Sequence, residues 1–374
     1  MKPPKRQYGF NLTELMVAIT IGLIVLAGAS SVMISNKKTY TAQDSLARLQ
    51  ENARISMLIL TSEMRNIGYW GCNPDMENVN SALESTATDP SYLFGNPVEG
   101  SEAGGPLQPT NTALAVTPRS GTDVFIVRGP DTSESFTLEQ AMTSQSASMK
   151  IAPGSGLVAG EVLVITDCSS ADIFQVTNIN SSGTLVHNPG GDWEPGNEMD
   201  SGGNKLSKAY NADATIMRFK ANMFYIDTGA SGEPSLFRRS LAVTSSFFQP
   251  ESQEMVEGIE NLQVLYGVDT DGDKIANSYK RATFVGASTW NNVVSIRFGV
   301  IARALANLQT TDLKTAATAS QLDTKPLDID GDTIMDFTGT EMTSTMQTSG
   351  STAKDRQYQR RMFRTTVLLR NMPK

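Results

Sequence analysis

Residues 15–36 contain no charged side chain and are apolar on nearly every face, which is enough for a helix to cross a bilayer core of about 20 residues. Beyond that run the pattern narrows to a stripe. Ala42, Leu46, Leu49, Ala53, Met57, Leu60, Met64 and Ile67 recur three or four residues apart, the spacing of an amphipathic helix with one face to cover. Between Ile55 and Leu60 the stripe widens to take in Leu58 and Ile59, which predicts packing of that turn on a sheet. Gly68, Gly71 and Pro74 end the pattern. If unbroken from Phe10 to Ile67, such a helix would be about 85 Å long at 1.5 Å per residue.

Past Pro74 the composition turns to Ser, Thr, Asn, Gly and Pro, which predicts a surface excursion over residues 78–118. Short β-type runs follow at 123–128, 162–165, 173–177, 215–219, 223–227, 236–241, 262–268, 293–301 and 364–369. The clearest alternates Val294, Ile296, Phe298 and Val300 with Ser295, Arg297 and Gly299, a strand with one buried face. A second Ser/Thr-rich tract, 308–353, reads as another loop. The expectation is an α+β chain: a long N-terminal α-helix, membrane-embedded in its first half, packed on a mainly antiparallel β head with long loops. The divisions are residues 1–9, 10–36 for the membrane part, 37–71 for the amphipathic continuation and 72–374 for the head.

Length and charge narrow the partners. The 374 residues allow a stalk plus one large or two small globular units. With 31 Lys+Arg against 39 Asp+Glu, the bulk charge offers nothing to a nucleic acid. Two cysteines, Cys72 and Cys168, lie beyond the apolar run, where an exported segment would be oxidised, so they read as a disulfide or else as two buried thiols. With His187 as the sole histidine, they cannot build a Cys/His zinc site.

The N-terminus holds the most specific signal. Residues 1–9, MKPPKRQYG, are short and basic, and they precede the apolar run; a secretory signal would place its cleavage site after that run. The basic leader predicts that it stays cytoplasmic while the rest crosses. Glu14 is an ionisable group just inside the apolar helix, where it needs a partner. The alternative is an uncleaved signal anchor.

The run GFNLTELMVAITIGLIVLAG, residues 9–28, resembles the leader junction of type IV pilins and pseudopilins. That resemblance implies cleavage between Gly9 and Phe10 by a prepilin peptidase and methylation of the Phe10 amine. It makes Glu14 the fifth mature residue, whose carboxylate meets an N-terminal amine during assembly; two opposite charges attract strongly at low dielectric. Asn11 and Thr13 depart from the usual pattern, and Ser31 stands where major pilins often carry Pro. MRNIGYWGC at 64–72, DCSSADIFQVT at 167–177, EGIENLQVLYGVDTDGD at 257–273 and TTVLLRN at 365–371 resemble the PilW-type minor pilins. Membership would imply an inner-membrane subunit with its head in the periplasm. That subunit would join other minor pilins, the major pilin and a possible tip adhesin, initiate the fibre and sit at its tip. A type II secretion pseudopilin is the alternative, and an envelope-anchored hydrolase a distant third.

Candidate chemistry is sparse. Asp269, Asp271 and Asp273 with Asn277, and Asp328, Asp330 and Asp332 with Asp336, each group carboxylates around a glycine and could supply oxygen ligands to calcium. Both lack the EF-hand's Gly and bidentate Glu, so a self-capped Asp-Gly turn competes with the calcium reading. No G-x-S-x-G elbow, P-loop or H-E-x-x-H occurs, and nothing pairs visibly with His187, which reads as a loop or partner-contact residue. No catalytic residue and no required cofactor are expected. The doublets Arg238-Arg239 and Arg360-Arg361 read as solvated strand faces.

Overall fold

The structure, a computed structural model, describes residues 11–71, 79–84, 96–102, 116–189, 193, 195–200, 203–204, 206–244, 247–286, 289–305 and 360–369, with the backbone alone at 199–200, 203–204, 241–244 and 247–250. It divides into two units, one ending at Arg48 and one beginning at Leu49.

Helix α1 runs Leu12–Arg65. Asn11, a favoured N-cap type, precedes it, and the Glu14 carboxylate accepts the Asn11 backbone N–H at 3.3 Å, one half of a capping box. In the first unit the helix leaves its apolar side chains uncovered, among them Leu15, Ile24 and Met33. It is long and apolar enough there to cross a membrane. Asp44 and Arg48, one turn apart, form an exposed ion pair at 3.0 Å.

In the second unit the helix buries Leu49, Ala53, Leu60 and Met64, and Ile67 just past its end, at three- and four-residue spacing. Leu49, Leu60, Met64 and Ile67 each contribute roughly 1.5–3 kcal/mol by leaving water, and the Ala53 methyl less. The predicted widening of the stripe occurs only in part: Ile59 packs against the core, but Leu58 is 70% exposed and Ile55 also faces solvent, because both lie on the side of the helix opposite Leu49 and Leu60. Past Arg65 the chain turns at Gly68, whose φ of 72° is a left-handed value natural to a glycine after a helix.

The head is β-rich and mostly antiparallel. Strand Thr215–Thr228 is the hub of a nine-stranded sheet. It pairs with Val162–Asp167 at its start, with Val124–Pro130 in its middle and with Pro234–Thr244 at its end. The sequence reads this hub as two strands because Lys220 and Asn222 interrupt the apolar pattern; both polar groups are instead satisfied by Glu63 of α1. Phe247–Glu257, unrecognised in the sequence, pairs with Pro234–Thr244 and carries Pro250, which an edge strand tolerates. A second sheet places Ile259–Val268 and Arg360–Leu368 on either side of Val293–Arg303. One core joins the helix to both sheets through Phe125, Phe224, Val264, Tyr266, Ile296 and Phe298.

Two short strands, Val79–Ser81 and Val98–Ser101, fall inside the stretch read as a surface excursion. Glu99 there is 2% exposed and meets the buried Arg128 at 3.0 Å, a non-local contact that composition cannot reveal.

Candidate functional site

The positions that the sequence singles out do not form one centre. Glu14 lies in the first turn of α1, exposed, with its carboxylate on the Asn11 amide. Gly9 and Phe10 lie outside the described residues, as do Cys72, Asp328, Asp330, Asp332 and Asp336.

Cys168 sits at the tip of a tight hairpin joining Val162–Asp167 to Ser170–Gln175, and it is disulfide-bonded. Asp167 builds the tip. Its Oδ1 accepts the Ser169 and Ser170 amides at 2.9 and 3.1 Å and the Ser169 hydroxyl at 2.8 Å, while Lys208 pairs with Oδ2. Partial burial pushes this carboxyl upward, but the Lys208 ammonium and the Ser169 and Ser170 donors outweigh it and hold the pKa at about 2. The segment after α1 runs beside this hairpin: Thr166 Oγ1 donates to the Trp70 carbonyl at 3.0 Å. A Cβ on Gly71 would meet Thr166 Cγ2 at 2.5 Å. Deeper in the hairpin, Asp172 is fully buried and accepts from the Ser207 hydroxyl, the Tyr210 hydroxyl and Asn80 Nδ2, each at 2.7 Å. The block 167–177 is therefore a folding device: one aspartate turns the chain, the other ties three segments together.

A buried charge cluster escaped the sequence reading. Glu260 is 4% exposed and receives Arg360 through both oxygens, with Nη2 at 3.1 Å from Oε1. Arg303 Nη1 lies 3.5 Å and Arg119 Nη2 3.7 Å from Oε1, and Arg303 also pairs with Glu233. Burial raises the Glu260 carboxyl, and the hydrogen bond and charge of Arg360 with the charges of Arg303 and Arg119 overcome it, so its pKa is lowered. Arg360 is thus not on a solvated face; it fastens the final strand to Ile259–Val268 across the sheet. The only sequence signal was the place of Glu260 within the 257–273 block.

The Asp269 loop closes on itself. Asp269 Oδ1 accepts the Asp271 and Gly272 amides at 3.0 and 2.7 Å, and Oδ2 accepts the Lys274 amide at 2.8 Å. These backbone donors, Gly272 first, lower the Asp269 pKa. Asn277 spends its carbonyl oxygen on the Thr270 amide at 2.7 Å and its amide on Asp271 at 3.1 Å. Asp269, Asp271 and Asp273 can still bring one oxygen each within 4.8 Å of one another, with Asp271 and Asp273 exposed.

His187 does lie in a loop, one residue past the strand Thr184–Val186, but its side chain is buried and not offered to a partner. It is 2% exposed, with Nε2 at 3.1 Å from the Ala147 carbonyl oxygen and its ring edge-on to Phe174. Burial lowers its pKa, against the weaker opposing pull of that carbonyl. Trp70 and Trp290 are core residues. Among the described residues no nucleophile, base and orienting group come together.

An exposed apolar helix with one acid in its first turn, followed by a β head that packs on the helix's second half, defines a membrane-anchored pilin-like protein. Residues 4–30 match the prokaryotic N-terminal methylation motif. Residues 223–371 match the family of the type IV pilus-assembly protein W. Together these two matches support a type IV minor pilin, with the PilW model covering less than half of the chain. The PilW match spans the hub strand from Met223, Glu260 with its partners Arg303 and Arg360, and the final strand. No curated protein and no solved structure matches the chain. The matched families imply a structural protein, and the PilW family implies interaction with other pilus-assembly components.

Proposed function

We propose that this subunit is made as a prepilin, cut between Gly9 and Phe10 by a prepilin peptidase and methylated on the Phe10 amine. With its head in the periplasm it then joins other minor pilins to initiate assembly and remains in the tip complex, in contact with the major pilin and a possible tip adhesin. The observation supporting this is the first half of α1, whose apolar side chains are uncovered and which carries the single carboxylate Glu14 one turn from its start. Such a surface is stable only in lipid or among like helices. Glu14 holds the Asn11 amide at 3.3 Å, a long bond that a charged amine of a neighbouring subunit can replace with a stronger one.

The test complements a deletion strain with wild type, Gly9→Ala and Glu14→Ala. Gly9→Ala is expected to remain as membrane-bound precursor. Glu14→Ala is expected to be processed yet missing from sheared fibres. Fibres containing Glu14→Ala at the wild-type level, or a fibre-borne subunit whose mass starts at Met1, would refute the reading. Normal pili combined with blocked exoprotein secretion in the deletion strain would assign the subunit to a type II secretion pseudopilus instead.

A further inference from the structure

A cavity of about 320 Å³ opens in the head between the segment that follows α1, the Cys168 hairpin and the start of the hub strand. Its walls include Tyr69, Thr132, Ser135, Asp167, Asp213 and Thr215, with the buried Met217 behind them. The hydroxyls of Tyr69, Thr132, Ser135 and Thr215 and the carboxylate of Asp213 have no hydrogen-bond or ion-pair partner among the described residues. Elsewhere in the same region the polar groups are spent on one another: Asp167 is saturated by Lys208 and the Ser169 and Ser170 amides, and the Thr166 hydroxyl bonds the Trp70 carbonyl. Unused donors and acceptors are therefore concentrated on one concave surface and now face water, which a ligand with matching groups can replace.

We propose that this cavity binds a single saccharide unit, neutral and rich in hydroxyls. Each alternative ligand class fits worse. No Lys or Arg is among the lining residues, and Asp213 is uncompensated, so an anion would be repelled. The walls offer an apolar ligand little besides Met217, the Tyr69 ring and the disulfide-bonded Cys168. An amine would satisfy Asp213, but an ammonium only donates and would leave the O–H donors of the four hydroxyls unused. A pyranose uses all of them, because its hydroxyls donate and accept like those of Thr and Ser. Two adjacent sugar hydroxyls can donate together to the two oxygens of Asp213. Tyr69 is 37% exposed, and its ring offers an apolar platform for the C–H face of the sugar. The volume is at the low end for small-molecule sites, so it suits one unit rather than a chain. This inference does not depend on where the subunit sits in the fibre.

Saturation-transfer NMR on the full-length protein, in a detergent without a sugar headgroup, tests it with glucose, galactose and N-acetylglucosamine as probes. At least one is expected to receive transfer at its ring protons. Asp213→Ala, on an exposed residue, is expected to weaken that sugar about tenfold, the loss of a hydrogen bond to a charged group. Tyr69→Ala is expected to remove transfer to one face of the ring. Absence of transfer from all three probes, transfer unaltered in both variants, or transfer to N-acetyl-lysine amide in place of the sugars would each overturn the proposal.

Discussion

Asn222 on the hub strand donates its side-chain amide to Glu63 Oε2 of helix α1 at 3.2 Å, joining the last turn of the helix to the centre of the nine-stranded sheet. Lys220 reaches the same oxygen at 3.4 Å. Removing the acceptor strands a nearly buried amide, so Glu63→Ala is expected to cost about 1–3 kcal/mol in chemical denaturation. Glu63→Gln retains an oxygen for Asn222 and should lose less. Equal stability of Glu63→Ala and wild type would show that the contact is idle.

Acid should weaken the head in two windows. His187 is held neutral by burial, and its folded pKa is lowered; the unfolded chain therefore binds the extra proton first, and stability declines as pH falls below about 6.5. Asp167 and Glu260 are depressed carboxyls, so their contribution is present above the unfolded value and is lost as pH falls through the folded one. For Asp167 that window runs from its ordinary 3.8 down to about 2. A melting-temperature profile should show both declines, and His187→Gln should flatten only the upper one. An unaltered upper decline in that variant would place its origin elsewhere.

Cys168 closes a hairpin that lies against Trp70 and Gly71, and we propose Cys72, the chain's other cysteine, as its partner. Cys168→Ser is then expected to lower stability by about 2–5 kcal/mol. Reductant should lower the melting temperature of wild type and leave that of the variant unmoved; identical wild-type melting with and without reductant would remove the claim.

The Asp269 loop is expected to fold without a cation, since its amides already occupy the Asp269 carboxylate. Asp269→Ala should therefore lower the melting temperature as much in chelator as in millimolar calcium. A calcium-dependent rise in wild type that Asp271→Ala abolishes would instead make the loop the calcium site that its three carboxylates allow.

What was legible early depended on local pattern. The apolar run, the three-and-four spacing from Leu49 to Ile67 and the alternation of Val294 to Val300 each report a covered face through the chain's own periodicity. Leu58 shows the limit of that signal: an apolar residue in a helix says nothing of which side the sheet occupies, and this one faces water. Lys220, Asn222, Glu99 and Arg360 show the converse, since polar residues read as breaks or surface until a distant partner is known.

The sequence by itself determined the class of protein: a membrane-length helix behind a short basic stretch, with a carboxylate at Glu14, and a β-rich remainder. Those features are contiguous in the chain, so hydropathy and charge order express them without any fold. Tertiary structure alone decided that Glu260 would gather three arginines, that Asp172 would tie together Asn80, Ser207 and Tyr210, and that Tyr69 and Asp213 would face one cavity. Those groups are far apart in the chain, and a buried charge or an unused hydroxyl takes its meaning from neighbours that only folding supplies.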